Sequence, residues 1–327
     1  MKKNRNILVT GGTGFIGSHL CEFLVQKGFN VTAYDQYNIN NSWNWLENSK
    51  IKKDIKVVLG DIRDAENVNK YIKKNEIVFH LAALIGIPYS FESPSSYVDT
   101  NINGTLNILN SCRKNSISDL IITSTSEVYG NASKKKIDEN HKLSALSPYA
   151  ASKISQDQLA LSYFNSFEMP IKIIRPFNVF GPRQSSRAII PTIIGQIINK
   201  NSKITVGNTH PIRDFTYVLD TCEAFLSVLM NNRLYGEVVN AGNQKSIRIK
   251  DLIKMIQKIM GSNLKVHTKR NRIRKGKSEV NYLHSNSKKI YKFTGWKPKI
   301  SLEEGLIETI EWIDSNINNY KTNIYNV

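Results

Sequence analysis

Cysteine is scarce in this sequence, with three residues in a chain of 327 and none in a Cys-x-x-Cys pair. That spacing excludes a disulfide framework and a thiolate metal site, and the six histidines show no metal-ligand spacing, so we expect no metal. No apolar run approaches the roughly 20 residues that cross a bilayer. The apolar run near the N-terminus is also too short for a signal peptide. We therefore expect a cytoplasmic protein with no membrane partner.

Acidic residues are also few. The chain holds 45 Lys and Arg against 27 Asp and Glu, which gives a formal net charge of +18. A basic chain can bind nucleic acid, or it can bind small polyanions such as nucleotide diphosphates. The excess is mostly lysine and comes with abundant asparagine, a pairing typical of biased nucleotide composition. Because only clustering on one face would indicate a nucleic-acid footprint, we expect a small anionic ligand and no nucleic acid.

The first half of the sequence has a regular alternation of short β-branched runs with amphipathic stretches. The predicted strands are 6–10, 30–34, 56–59, 77–80, 120–123 and 171–175. The predicted helices between them are 18–27, 68–73, 105–112 and 152–167. This rhythm predicts an α/β fold with a Rossmann-type, doubly wound parallel sheet, whose ligands lie beyond the carboxyl ends of the strands.

After residue 176 the alternation loosens. The predicted elements there are helices 189–199, 218–230, 249–260 and 302–315, a strand at 204–206 and a basic loop at 265–277. They indicate a smaller, mixed α/β C-terminal lobe that binds the substrate. We expect the Rossmann-type domain to comprise residues 1–175 plus about 213–240. The smaller lobe would comprise about 176–212 plus 241–327.

A glycine-rich loop joins the first predicted strand to the first helix. It reads Thr-Gly-Gly-Thr-Gly-Phe-Ile-Gly and spaces Gly11, Gly14 and Gly17 as G-x-x-G-x-x-G. Such glycines let the backbone approach a pyrophosphate, and the helix N-terminus supplies N–H groups and a partial positive charge. Asp35 follows Gly17 by 18 residues, where a carboxylate accepts the ribose hydroxyls and repels a 2′-phosphate, so we expect NAD rather than NADP. Asp61 follows the third strand, where it could accept from the adenine amino group.

Two further segments indicate chemistry. Tyr149 and Lys153 stand four residues apart at the start of a predicted helix, so their side chains share one face. A phenol with a pKa near 10 is a poor base at neutral pH, but a nearby ammonium favours the phenolate. Thr125, Ser126 and Glu127 follow the fifth strand, where side chains face the ligand crevice. Together these residues are our catalytic candidates.

With the glycine loop, the strand-end Thr-Ser-Glu and the Tyr-x-x-x-Lys pair in this order, the chain resembles the extended short-chain dehydrogenase/reductase family over nearly its whole length. The resemblance implies that Thr125 orients a sugar 4-hydroxyl, that Tyr149 is the base, and that Lys153 holds the phenolate and the nicotinamide ribose. It implies further cofactor contacts at Phe15, Ile16, Ile62, Leu81, Ala82, Ala83, Asn101, Thr123 and Pro176. The implied contacts to a nucleotide diphosphate sugar are Asn178, Arg187, Pro191, Arg213 and Arg274. A homodimer through helices 105–112 and 152–167, in a four-helix contact, is implied too.

Glu127 narrows the chemistry that the resemblance implies. Sugar-nucleotide 4-epimerases of the family usually carry a small residue there, because they only oxidise C4 and return hydride to the other face. A carboxylate suits removal of the C5 proton, which a transient 4-ketone acidifies before the 6-hydroxyl leaves as water. These features favour an NAD-dependent nucleotide-sugar 4,6-dehydratase, a lyase that regenerates its NAD.

The general acid of such a reaction departs from the pattern of the dTDP-glucose dehydratases. In dTDP-glucose dehydratases an Asp beside this Glu is the acid, but Ser126 occupies that position here. Either Glu127 shuttles the proton itself, as in GDP-mannose dehydratases that carry Thr-Ser-Glu, or the chemistry differs. UDP-glucuronate decarboxylases also carry Thr-Ser-Glu, so a decarboxylase and a 4-epimerase stay open as alternatives. A remoter alternative is a regulator that binds NAD without turnover, although such proteins typically lose the Tyr–Lys pair.

Three segments refine the resemblance. Residues 37–46, 178–194 and 213–220 are most similar to those of the nucleotide-GlcNAc 4,6-dehydratases of legionaminic acid-type pathways, which implies GDP- or UDP-GlcNAc as substrate. Trp43 and Trp45 in the first segment either contact the substrate or pack a hydrophobic loop at a subunit contact. The cations placed to meet the ligands' charges are Lys153, Arg183, Arg187, Arg213 and Arg274. Arg274 resembles the family's late phosphate-binding arginine, although Lys275 replaces the usual following proline.

Overall fold

The computed structural model describes residues 4–132, 136–274 and 276–320, apart from the side chain of Asn271. Its strands are β1 (Asn6–Thr10), β2 (Asn30–Gln36), β3 (Ile55–Gly60), β4 (Ile77–His80), β5 (Asp119–Thr123), β6 (Ile171–Pro176), β7 (Asn178–Phe180), β8 (Lys203–Val206), β9 (Ile212–Tyr217), β10 (Val238–Ala241), β11 (Ser246–Arg248) and β12 (Lys265–Thr268). Its helices are α1 (Phe15–Gln26), α2 (Ala65–Ile72), α3 (Ile87–Glu92), α4 (Pro94–Tyr97), α5 (Gly104–Lys114), α6 (Pro148–Phe167), α7 (Ile189–Ile198), α8 (Val218–Leu229), α9 (Ile249–Ile259), α10 (Lys288–Thr294) and α11 (Leu302–Ser315). A π-helical segment, Val98–Asn103, joins α4 to α5.

Seven strands form one parallel sheet in the order β10-β6-β5-β4-β1-β2-β3. Neighbouring residues on each strand point to opposite faces, so Val9 packs with Leu20 of α1 and Phe225 of α8, while Leu8 packs with Ile108 of α5. Burial of both faces explains the short, almost wholly apolar strands. The strand order reverses between β1 and β4, which opens a crevice at their carboxyl ends. The predicted Rossmann-type sheet is confirmed.

The C-terminal part adds a three-stranded sheet, β11-β9-β7, and a two-stranded sheet, β12-β8. Strand β9 pairs antiparallel with β11 and parallel with β7. A separate apolar core forms around these strands, with Ile194 of α7, Phe215 of β9, Ile253 of α9 and Leu306 of α11. This mixed α/β architecture confirms the predicted fold class, whereas the residue boundaries of the two lobes stay a prediction.

The structure contains several elements that the sequence did not predict. The sequence analysis omitted β7, β9, β10 and β11, which have only three to six residues each. The predicted basic loop 265–277 begins with a strand, β12, that pairs with β8 in parallel. All four residues of β12 are exposed, so backbone pairing rather than an apolar pattern orders them. A 3₁₀ turn, Arg270–Arg272, follows, and Lys275 lies outside the described residues.

Within the described residues, no helix is long and apolar enough to cross a membrane. The same part of the chain shows no group of His, Cys, Asp and Glu side chains that could hold a metal ion. The cytoplasmic location and the homodimer through α5 and α6 stay predictions.

Candidate active site

The glycine-rich loop after β1 is closed by contacts that leave no room for side chains. Gly11 has φ +71°, and a Cβ there would lie 2.9 Å from the backbone nitrogen of Ala82. A Cβ on Gly17 would lie 2.0 Å from the carbonyl oxygen of Gly11. Gly14 is the N-cap of α1 and supplies no capping side chain. The residues that open this helix are Phe15, Ile16 and Gly17. Their N–H groups lie in the first turn, where the helix dipole favours an anion.

The contact at Gly17 makes a testable prediction. We expect Gly17→Ala to lower the free energy of unfolding by about 3 kcal/mol, because the added methyl group meets backbone atoms rather than a flexible side chain. Denaturant unfolding of the cofactor-free protein measures this. Gly14→Ala is the matched control, since its Cβ would lie 3.3 Å from the same carbonyl oxygen and the expected cost is below about 1 kcal/mol. Equal stability of the two variants would contradict the tight loop–helix contact.

Asp35 lies near the end of β2 and faces the glycine loop. Its Oδ2 accepts from the backbone N–H of Thr13 at 2.8 Å and from the hydroxyl of Thr13 at 2.6 Å. Its Oδ1 accepts from the N–H of Gln36 at 2.8 Å. The Thr13 hydroxyl accepts in turn from the side-chain amide of Asn44 at 2.9 Å. The predicted ribose-binding carboxylate is therefore fixed against the predicted phosphate-binding loop.

Asp61 and Ile62 follow β3. The guanidinium of Arg63 lies 2.6 Å from Oδ2 of Asp61, and the backbone N–H of Arg63 donates to Oδ1 at 2.8 Å. These contacts hold the pKa of Asp61 below its usual range. Ile62 is buried against Gly104 of α5, where a Cβ would lie 2.6 Å from Cδ1 of Ile62. Sequence reasoning did not single out Arg63, which occupies much of the acceptor capacity of Asp61.

Residues 81–83 extend the chain from β4 into the crevice. The N–H of Leu81 donates to the carbonyl of Thr10 at 3.1 Å, and the N–H of Ala82 donates to the hydroxyl of Thr10 at 3.2 Å. Ala83 follows and is half-buried. This backbone therefore runs directly beside the residue that precedes the glycine loop.

Asn101, in the π-helical segment, ties the same backbone to α6. Its buried amide accepts from the N–H of Leu84 at 2.8 Å and donates to the carbonyl of Leu84 at 2.9 Å. It also donates to the hydroxyl of Ser152 at 2.9 Å. One side chain thus positions the end of β4 relative to the helix that carries Tyr149 and Lys153.

Tyr149 and Lys153 lie in the first two turns of α6 and are both buried. Helix α6 starts with Pro148, and the hydroxyl of its N-cap, Ser147, accepts from the N–H of Ala150. Thr125 is hydrogen-bonded to the Tyr149 phenol. Burial raises the pKa of Tyr149 above its ordinary value and lowers the pKa of Lys153 to about 8.

This electrostatic arrangement differs from our expectation. We expected the ammonium of Lys153 to lower the pKa of Tyr149, but the phenol is stabilised in its neutral form, since desolvation dominates and the charge of Glu127 adds to it. The Lys153 ammonium instead donates to the carbonyl of Thr123 and to Oε1 of Gln156, at 2.6 Å each. The predicted activation of the phenol is therefore not present in this arrangement.

Ser126 and Glu127 are buried in a 3₁₀ turn that follows β5. The Thr125 hydroxyl accepts from the N–H of Glu127 at 3.2 Å and so fixes the start of this turn. Oε2 of the Glu127 carboxylate lies 3.4 Å from Nη1 of Arg274. Glu127, the predicted base for the C5 proton, is thus ion-paired with Arg274, the predicted phosphate-binding arginine.

A second glutamate completes this charged cluster. Oε1 of Glu279 lies 3.4 Å from Nη2 of Arg213 and 3.9 Å from Nε of Arg274. Burial lowers the pKa of Arg213, while the charges of Glu127 and Glu279 act in the opposite direction. Sequence reasoning missed Glu279, because nothing local distinguishes it from a surface carboxylate. The structure brings Glu127, Arg213 and Arg274 together from three distant parts of the chain.

Three of the remaining predicted residues are placed by β6, β7 and α7. Pro176 ends β6, paired with Ala241 of β10. Asn178 begins β7, and its side-chain oxygen is buried without a hydrogen-bond partner in the described part of the chain. Pro191 is buried in α7. An unpartnered amide oxygen at a strand end can accept from a ligand.

The two arginines before α7 differ in their surroundings. Arg187 is exposed, and its charge acts on Tyr97, whose ring packs against that of Tyr149. Arg183, by contrast, was wrongly grouped with the ligand-facing cations. Its Nη1 lies 2.9 Å from Oε2 of Glu22, and its guanidinium lies 5.6 Å from the ring centroid of Trp312. Arg183 therefore joins α1 to α11.

Trp43 and Trp45 pack within their own chain. Trp43 packs against the core cluster that contains Val9, and the ring of Trp45 lies 6.2 Å from that of Trp312 and 6.1 Å from that of Tyr320. We expected a contact with the substrate or with another subunit, and neither interpretation included this packing of Trp45 against α11.

Sequence reasoning missed a buried ion pair between Asp157, on the same helix as Tyr149 and Lys153, and Arg175 of β6. Oδ2 of Asp157 accepts from Nη2 of Arg175 at 2.9 Å and from the hydroxyl of Ser124 at 2.8 Å. Burial lowers the pKa of Lys153, and the charge of Asp157 partly offsets this. The four-residue spacing from Lys153 to Asp157 on one helix face could have indicated that Asp157 lies near Lys153, but no local signal identifies Arg175 as its partner.

Comparison with known proteins gives a consistent picture. The family described as GDP-mannose 4,6 dehydratase matches residues 8–309. A dTDP-D-glucose 4,6-dehydratase of Mus musculus is 32% identical over 333 residues, which cover 97% of this chain and 91% of that protein. A UDP-N-acetyl-alpha-D-glucosaminuronate decarboxylase of Bacillus cytotoxicus is 31% identical, with 95% and 98% covered. The crystal structure of a UDP-glucuronic acid 4-epimerase from Bacillus cereus, in complex with UDP-glucuronic acid and NAD, superposes with a TM-score of 0.85 at 29% identity and covers 95% of this chain and 99% of that one.

Proposed function

The chain belongs to the extended short-chain dehydrogenase/reductase family of NAD-dependent nucleotide-sugar epimerases and dehydratases, and from this premise we propose that it is a 4,6-dehydratase. Its substrate is GDP- or UDP-GlcNAc, and its product is the corresponding 4-keto-6-deoxy sugar. Relatives named for dehydration, epimerisation and decarboxylation match at similar identity, so the choice among the three activities depends on the site.

The observation that supports a dehydratase is the position of Glu127. This buried carboxylate lies directly after Thr125 and Ser126, and its charge acts on the Tyr149 phenol. A 4-epimerase needs only the oxidation at C4 and its reversal, so its reaction does not require a carboxylate beside Tyr149. A dehydratase needs a group that removes the C5 proton, and a carboxylate next to the C4 base is suited to this.

In the proposed dehydration, each residue of the site has a separate role. Tyr149 acts as its phenolate, which forms once the Lys153 ammonium turns from Thr123 towards the phenol oxygen, and it takes the proton of the sugar 4-hydroxyl that Thr125 orients. Once C4 is a ketone, the carboxylate of Glu127 takes the C5 proton. The C6–O bond then breaks, and Glu127 returns the proton to the departing hydroxyl, which leaves as water. Ser126 is too weak an acid for that last step.

The chain's own residues fit the NAD that the family uses. The contacts of Gly11 with Ala82 and of Gly17 with Gly11 fix the loop against the chain after β4 and the start of α1, and the N–H groups in the first turn of α1 are suited to a pyrophosphate. Asp35 is placed for the adenosine ribose, and Lys153 for the nicotinamide ribose once it leaves Thr123. When bound, this cofactor would supply the acceptor for the C4 hydride and the donor of that hydride to C6, and a solvent proton would add at C5. Arg213 and Arg274 bind the diphosphate of the sugar nucleotide.

An NMR time course with a panel of nucleotide sugars tests the proposal. The purified chain is incubated with NAD and with GDP-GlcNAc, UDP-GlcNAc or UDP-glucuronate in deuterated buffer. We expect a 4-keto-6-deoxy product from one of the GlcNAc nucleotides, with solvent deuterium at C5. Protium kept at C5 with inverted C4 would instead indicate an epimerase. Carbon dioxide release from UDP-glucuronate would indicate a decarboxylase.

A further inference from the structure

Three hydrogen-bond donors of the chain itself hold the carboxylate of Asp35. A carboxylate offers about four lone-pair positions in its plane. Thr13 fills two positions on Oδ2 with its N–H and its hydroxyl, and the N–H of Gln36 fills one on Oδ1. Only one in-plane position, on Oδ1, is left for a ribose hydroxyl. The orientation of that last position depends on what holds Oδ2.

The single proton of the Thr13 hydroxyl determines which group donates in each of these hydrogen bonds. The Thr13 hydroxyl has one proton, and at 2.6 Å from an anionic oxygen it donates that proton to Asp35. The hydroxyl oxygen is then an acceptor, so Asn44 must present its NH₂ group at 2.9 Å. Asn44 has φ +48°, and its own N–H donates to the hydroxyl of Ser42 at 3.0 Å. A left-handed turn after β2 thus supports a chain of donors from Asn44 through Thr13 to Asp35.

We infer that Asn44 and Thr13 determine the preference for NAD over NADP by fixing the Asp35 carboxylate in one orientation. With Oδ2 immobilised, the carboxylate cannot rotate away from a 2′-phosphate, so the negative charge stays directed at the position that the phosphate would occupy. Without the hydroxyl of Thr13, Oδ2 keeps only the backbone N–H of Thr13 as a donor, so the carboxylate is held in that orientation less tightly. Binding of NAD then weakens and repulsion of NADP relaxes. Thr13 and Asn44 are positioning residues in this inference, because they act through Asp35.

The test measures the affinity of the full-length, cofactor-stripped chain for NAD and for NADP by calorimetry, with no sugar present. We expect Thr13→Ala to weaken NAD binding about tenfold and to change NADP binding less than threefold, so the ratio of the two dissociation constants falls. Asn44→Gly keeps the left-handed turn but loses the amide, and we expect NAD binding to weaken about threefold. Thr13→Ser keeps the hydroxyl and is the control, expected to bind both cofactors within twofold of the wild-type chain.

Two outcomes would overturn the inference. One is an unchanged NAD-to-NADP ratio in both Thr13→Ala and Asn44→Gly. The other is a Thr13→Ser variant as weak as Thr13→Ala, which would assign the effect to the methyl group. Thr13 is fully buried, so the exposed Asn44 keeps the test decisive if Thr13→Ala fails to fold. The inference rests on the proposed use of NAD but not on the sugar, so its failure is distinguishable from failure of the dehydratase assay.

Discussion

Glu127→Gln is expected to abolish dehydration, with turnover reduced about 10³-fold and no solvent deuterium at C5 of recovered sugar. Glutamine has nearly the same shape as glutamate but cannot take a proton, so the step that follows C4 oxidation lacks its base. The buried turn that carries residue 127 is kept, because Thr125 accepts from the backbone N–H and not from the carboxylate. Turnover is measured by NMR with the active GlcNAc nucleotide at saturating concentration.

Glu279→Gln is the matched control for that variant. Glu279 shares Arg274 with Glu127, so both substitutions remove one carboxylate from the same arginine. We expect Glu279→Gln to change KM, through Arg213 and Arg274, while kcat stays within about tenfold. If kcat in Glu127→Gln were unchanged, proton abstraction by this residue would be ruled out, and an epimerase would become the better proposal.

Lys153→Met is expected to reduce turnover by about 10³-fold and yet to stabilise the cofactor-free protein. Burial lowers the pKa of Lys153 from 10.5 to about 8, which means that its charge opposes folding. Methionine fills a similar volume without this cost, although two hydrogen bonds, to Thr123 and Gln156, are lost. We expect a net gain of about 1 kcal/mol below pH 8, visible as a rise of about 2 °C in the melting temperature.

The pH dependence of this gain has a defined sign. Between pH 8 and 10.5 the unfolded chain binds more protons at residue 153 than the folded chain does, so the stability of the wild-type protein rises with pH in that window. The advantage of Lys153→Met is therefore full below pH 8 and fades towards pH 10. Lys254→Met, whose side chain is 68% exposed, is the control and should show no such trend. An equal difference in melting temperature at pH 7 and pH 10 would contradict the buried-charge explanation.

The sequence predicted those parts of the site that depend on spacing along one element. Gly11, Gly14 and Gly17 fall on a strand-to-helix turn, and Tyr149 and Lys153 fall on one helix face, so periodicity alone locates them. The central strands were predictable for the same reason, because burial on both faces gives continuous apolar runs. An exposed strand such as β12 shows no such pattern, and only its partner β8 orders it.

What the sequence could not predict depends on contacts between distant segments and on burial. Arg183 meets Glu22 across 161 residues, and Asn44 reaches Thr13 across 31, with no local signal for either pair. The pKa of Tyr149 moved opposite to our expectation because burial, which a sequence does not show, outweighs the helix spacing to Lys153. In each case a long-range contact or desolvation decided the outcome.

The central sheet has a consequence for the synthesis of the chain. Strand β10 pairs with β6 although more than 60 residues separate them, and Ile290 and Trp296 pack in the same core as Val9. Glu279 and Arg274, which complete the charged cluster at the site, also come from the last fifth of the sequence. A nascent chain that has emerged only as far as β6 therefore lacks the strand next to β6 and part of the cover over the sheet. The core around Val9 can therefore close completely only after residues as far as Trp296 have emerged from the ribosome.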